Sequence, residues 1–144
     1  MPLVPTPIAT PLVVAATSES SVQAAAASGV PFIIGFPFPD AFKTQLLDAY
    51  RRAAESHGHL GDADHWLSVI VHAGPSREQA LKEVREQFIP WNLKAMATSR
   101  FLEPPTQSIS AQQWEGIVRL QALGTPEDIA ERLNELMELT GARN

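Results

Sequence analysis

Four hydroxyl side chains, Thr17, Ser18, Ser20 and Ser21, follow directly on the apolar run at residues 12–16. Ser18 is a strong helix cap and Glu19 suits a positive first turn, while Val22, Ala25 and Ala26 recur at helical spacing until Gly29 stops them. A hydroxyl-rich helix mouth has two uses. Its oxygens satisfy the first-turn N–H groups, or, with those N–H groups and the helix dipole, they hold an anion such as a phosphate. No glycine-rich loop with a phosphate-binding lysine accompanies the cluster, so spacing alone leaves both uses open.

Other chemistry is thinner. His57, His59, Asp62, Asp64 and His65 crowd into nine positions, and imidazole and carboxylate are common metal ligands, but they show no fixed ligand spacing. They read as solvated loop residues, and no metal site is assigned. His72 closes a strand without a carboxylate identifiable beside it, so it reads as a hydrogen-bonded structural residue. Trp66, Trp91 and Trp114 read as core or interhelix packing. The chain has no cysteine, which excludes disulfides, thiolate catalysis and cysteine-ligated metal sites. No catalytic acid or base can be named.

Positioning these residues is the task of a 144-residue chain, enough for one domain with a real core. A net charge of −5 offers no basic footprint, so neither nucleic acid nor an anionic membrane is an expected partner. Residues 1–39 carry one charge, Glu19, yet Pro2, Pro5, Pro7 and Pro11 interrupt the start and the first basic residue is Lys43, which does not suit a secretory signal. The apolar runs are too short to cross a bilayer, and the expected location is the cytoplasm. Residues 1–11 read as an extended proline-rich lead and 12–144 as the domain.

Three short apolar runs, at 12–16, 31–36 and 65–73, read as buried strands. Between and after them lie helical patterns. Asp40 is placed to cap a stripe of Phe42, Leu46, Ala49, Tyr50 and Ala53, and Ser76 with Gln79 suggests a capping box before Ala80, Leu81, Val84 and Phe88. Pro90 bends or restarts that helix, and residues 101–124 read as a connecting loop, exposed over 101–110. Thr125, Pro126, Glu127 and Asp128 open a last helix that buries Ile129, Leu133, Leu136 and Met137 before Gly141 ends it. Strands alternating with helices predict a parallel α/β fold, with the hydroxyl cluster at the carboxyl edge of the sheet, where such folds keep ligands.

The stretch VVAATSESSVQAAAASGVPFIIGF resembles the middle of the luciferase-like, flavin-dependent monooxygenases, above all the alpha subunit of bacterial luciferase. LLDAYRRAAESHGH, DADHWLSVIVH, REQALKEVREQFIPWNLKAMA and GTPEDIAERLNELMELTGARN follow in the family's order. The resemblance implies part of a TIM (β/α)8 barrel, about three parallel strands matching the fifth to seventh. It implies reduced FMN and O2 acting on an organic substrate. The FMN phosphate would lie on the Thr17 backbone and on the hydroxyls and N–H groups of Ser18 and Ser21, with Phe36 against the flavin ring or in the core. A complete barrel takes about 250 residues, so the first four strands and the family's catalytic histidine are expected to lie outside this chain. The implied partners are a missing N-terminal barrel half or a second copy, and a flavin reductase supplying reduced FMN. The alternative is a noncatalytic, self-associating α/β scaffold that binds no flavin.

Overall fold

Strand β1 (Val14–Ala16) leads through Ser18 into helix α1 (Glu19–Ala27), and β2 (Phe32–Ile34) leads into α2 (Asp40–Ser56). The computed structural model describes residues 12–35, 38–59, 61, 64–97 and 109–141. Strands β3 (Trp66–Leu67) and β4 (Val71–Ala73) precede α3 (Arg77–Glu83), a π-helical turn at Val84–Phe88 and α4 (Ile89–Ala97). Helix α5 (Ala111–Leu120), strand β5 (Ala122–Gly124) and α6 (Pro126–Thr140) complete the order.

Among the described residues all strand pairs are parallel, in two sheets ordered β1-β2-β3 and β4-β5. The run at 65–73 therefore splits instead of forming one strand. Its first part pairs with β2, the last bond being Ser68 N–H to the Ile34 carbonyl at 2.9 Å, and its second part changes partner. Ile70 N–H then donates to Gln121 Oε1 at 2.8 Å, and Ala122 N–H donates back to the Ile70 carbonyl at 3.0 Å.

Residues 111–124 correct the loop expected there. Ser110 and Gln113 form a reciprocal capping box that starts α5, and β5 adds a parallel strand to the three foreseen. The box expected at Ser76 and Gln79 is one-sided: Ser76 Oγ accepts from Gln79 N–H at 3.2 Å, while the Gln79 amide turns to Glu83 at 3.0 Å. Just before Pro90, Ile89 N–H reaches back five residues to the Val84 carbonyl, so the proline follows a π turn instead of breaking the helix.

Two apolar clusters result. Ala16, Val22, Phe32, Ile34, Leu46 and Tyr50 pack β1–β3 against α1 and α2, and Val84, Ile89 and Leu123 gather Ile70, Phe88, Trp114 and Ile117 around β4 and β5. Trp114 packs as expected. Trp66 and Trp91 do not: they are 48% and 65% exposed, because Trp66 faces away from the helices and Trp91 lies on the outer side of α4. Met137, expected in the core, is also exposed, since Ile129, Leu136 and Thr140 make the buried side of α6.

Candidate functional site

The hydroxyl cluster sits where expected, at the carboxyl end of β1 and the mouth of α1. Ser18 has extended backbone angles (φ −150°, ψ 159°), the geometry of a residue that leaves a strand and caps a helix. Its Oγ accepts from Ser21 N–H at 3.3 Å, and Ser21 Oγ accepts from the N–H groups of Ser18 at 3.2 Å and Thr17 at 3.3 Å. Ser21 Oγ also donates to the Ser18 carbonyl at 2.8 Å, and Ser18 Oγ lies 3.1 Å from the hydroxyls of both Ser20 and Ser21. The structure thus brings Thr17, Ser18 and Ser21 together and engages them in a closed cap.

Such a mouth fits an anion in part. Thr17 and Ser20 are exposed, the hydroxyls can rotate outward, and the first-turn N–H groups of Glu19 and Ser20 have no acceptor within the helix. Against this stands the Glu19 carboxylate in the same turn, held along the helix by Gln23 at 3.3 Å. Phe36 lies outside the described residues.

The histidines of the 57–65 segment go to separate partners. His57 Nδ1 bonds the Ala53 carbonyl at 2.8 Å, and His59 Nε2 bonds the Ala27 carbonyl at 3.2 Å, under Gly29. His65 is buried between Phe32 and Tyr50, with ring centroids 4.4 and 4.3 Å away, and its Nδ1 accepts from Phe32 N–H at 3.4 Å. Burial, aided by nearby Arg51, pushes its pKa down to about 4. Asp62 lies outside the described residues, and no group of three histidine or acidic side chains gathers at metal-binding distance among those described.

Two polar relationships escaped the sequence. His72 does have a carboxylate partner, Glu83 at the end of α3, with Nε2 to Oε2 at 2.7 Å. Bonds from His72 and Gln79 hold the Glu83 carboxyl below its ordinary range. Asp40 is the first residue of α2, not its cap; Pro39 holds the cap position. The Asp40 carboxylate instead takes Lys43 Nζ at 2.9 Å and Arg132 Nη2 at 2.9 and 2.7 Å.

The luciferase-like monooxygenase family model matches residues 1–144. This chain belongs to that family. Among luciferase-like relatives, the alkanal monooxygenase alpha chain of the Kryptophanaron alfredi symbiont is 23% identical over 93% of this chain and 43% of its own length. The alkanal monooxygenase beta chain of Aliivibrio fischeri is 30% identical over 91% of this chain and 38% of its own. The chain therefore spans less than half the length of these luciferase-like relatives. The oxygenating constituent of 3,6-diketocamphane monooxygenase from the CAM plasmid of Pseudomonas putida, solved in complex with FMN, superposes with a TM-score of 0.61 at 20% identity. That match covers 90% of this chain and 39% of the other. The fold is accordingly part of a luciferase-like barrel, its parallel strands and helices matching a portion of that architecture. No helix among the described residues is long and apolar enough to cross a membrane.

Proposed function

We propose that this chain contributes the FMN-phosphate cradle of a flavin-dependent monooxygenase that oxidises an organic substrate with O2. The observation that carries the reading is the hydroxyl-lined mouth of α1 at the carboxyl end of β1, in a chain of this family. Thr17 would offer its N–H, and Ser18 and Ser21 their hydroxyls and N–H groups, to phosphate oxygens. By the family resemblance, Phe36 would lie against the apolar face of the flavin ring, with a place in the core as the alternative. Reduced FMN, when bound, supplies the electrons for oxygen chemistry. This chain's part is to fix the phosphate, not to move protons at the reacting centre, and the remaining strands and catalytic groups come from outside these 144 residues. A flavin reductase would deliver the reduced cofactor in the cytoplasm.

Titration of the folded chain with FMN and with riboflavin, followed by flavin fluorescence, tests the reading. Selectivity for FMN that weakens in Ser18→Ala and Ser21→Ala supports it; equal binding of the two flavins overturns it. The closed cap favours one second reading, in which these hydroxyls only start the helix and the chain is a noncatalytic scaffold. A folded chain that binds neither flavin would establish that one.

A further inference from the structure

His65 is the last residue before β3, and its ring lies against Phe32 of β2 and Tyr50 of α2, with centroids 4.4 and 4.3 Å away. Only 7% of it is exposed. Phe32 opens β2, and its N–H donates to His65 Nδ1 at 3.4 Å, the one hydrogen bond of that side chain among the described residues. Backbone groups two residues apart along a strand point the same way, and the Ile34 carbonyl takes Ser68 N–H from the β3 side. The imidazole is therefore the first rung of the β2–β3 ladder, standing in for a backbone acceptor where β3 has not yet begun. That rung holds in one protonation state only. Nδ1 accepts through its lone pair, which requires a neutral ring with its proton on Nε2. A proton added at Nδ1 occupies that lone pair and sets two N–H groups against each other, leaving the Phe32 amide buried without an acceptor.

We propose that His65 is an acid-operated latch: uptake of one proton at Nδ1 releases Phe32 N–H and opens the β2–β3 end of the sheet, while β4, β5 and their helices stay folded. The groups around the ring suit a latch that holds at neutral pH. Arg51 on α2 opposes a second positive charge, and Asp64, the preceding residue, favours one. Tyr50 presents a phenol that burial keeps neutral, and β2 brings no charged side chain. Burial outweighs Asp64, and the folded pKa falls to about 4. Opening is local because Phe32 and Tyr50 belong to the first apolar cluster, whereas Val84, Ile89 and Leu123 form a separate one around β4 and β5. Strand β3 is two residues long, so few bonds resist its release. The latch is independent of what the α1 mouth binds.

Amide hydrogen exchange of the full chain, followed by NMR from neutral pH downward, is the test. Between the free value of 6.5 and the folded value of about 4, uptake of one proton makes the open population grow about tenfold per pH unit. Protection of the Phe32 amide should fall by that factor per unit, and that of Ser68 with it. Ala122, whose N–H bonds the Ile70 carbonyl in the other sheet, should keep its protection. Loss at Phe32, Ser68 and Ala122 together, or at none of them, overturns the proposal. Ring nitrogen shifts report the tautomer directly: at neutral pH the proton should sit on Nε2, and a proton on Nδ1 also overturns it. His65→Asn places an acceptor that does not titrate where Nδ1 stands, so its Phe32 amide should keep constant protection across the window. A wild-type slope in that variant assigns the opening to another group and rejects the latch. If His65→Asn does not fold, the wild-type exchange slopes and ring shifts decide.

Discussion

Arg132 on α6 grips both carboxylate oxygens of Asp40, 92 positions away at the start of α2, through one nitrogen at 2.9 and 2.7 Å. The same guanidinium reaches Glu135 at 3.0 Å and the Leu120 carbonyl at 3.4 Å, so it ties the helix after β5 to the helix after β2. Burial works to raise the Asp40 carboxyl, but bonds from Arg132 and Lys43 outweigh it and hold the group below its ordinary range.

Arg132→Ala should therefore cost about 1.5–3 kcal/mol, the scale of hydrogen bonds to a charged group, and leave Asp40 with Lys43 alone. Arg132→Lys should recover only part of the loss, because one ammonium cannot at once serve Asp40 and Leu120, as Nη2 does, and Glu135, as Nη1 does. Urea unfolding followed by circular dichroism gives both numbers. The Asp40 contribution is present above the ordinary carboxylate pKa and is lost as pH falls through the lower folded value. Asp40→Asn should remove that acid-side loss.

Gly124 closes β5 at φ 145°, a backbone conformation that L side chains rarely adopt, and an added Cβ would run into the Asp128 side chain. Asp128 is not free to move: its carboxylate takes Thr125 N–H at 2.9 Å as half of the α6 capping box. Gly124→Ala should consequently destabilise by about 1–3 kcal/mol, combining backbone strain with a disturbed cap. Thermal melting should show the loss. A wild-type melting temperature in Gly124→Ala would mean that β5 adjusts freely.

How much of this was legible follows from how local each signal is. Ser18, Thr125 with Asp128, and Gly141 announce helix ends through bonds spanning three or four residues, and the structure has them. Strand β5 is three residues long and is defined by pairing with β4, some fifty positions earlier, so no periodicity could reveal it. Asp40 carries the composition of a cap, but its partner Arg132 belongs to another element, and tertiary pairing decided its role. His72 could be placed at a strand end, whereas Glu83 becomes its neighbour only once α3 folds back on β4. The hydroxyl cluster was legible through residue type and order, with the bonds among Ser18, Ser20 and Ser21 supplied by the fold.

His65 gives a prediction on the acid side of neutrality. Its folded pKa of about 4 lies below the 6.5 of the free side chain, so between these values the unfolded chain binds more protons than the folded one. Stability from keeping His65 neutral is complete above pH 6.5 and is lost as pH falls toward about 4. His65→Phe should flatten the stability profile in that window. It would also remove the buried Nε2, which, like Tyr50 Oη, has no hydrogen-bond partner among the described residues. A profile unchanged by the substitution would show that another group sets the acid limb.

Glu19 sets up the last test, because only one of the two readings of the α1 mouth has it act on FMN affinity. As a first-turn acid it complements the helix dipole, so Glu19→Gln should lower stability by about 0.3–1 kcal/mol whatever the mouth does. As a neighbour of a bound phosphate it repels, so the same substitution should tighten FMN a few-fold while leaving riboflavin unchanged. Ser18→Ala removes the cap oxygen, at a cost of about 1 kcal/mol in stability, and should weaken FMN. Opposite movements of FMN affinity in Glu19→Gln and Ser18→Ala, with stability falling in both, separate phosphate binding from capping. Affinity that merely follows stability would leave the hydroxyls as a cap and nothing more.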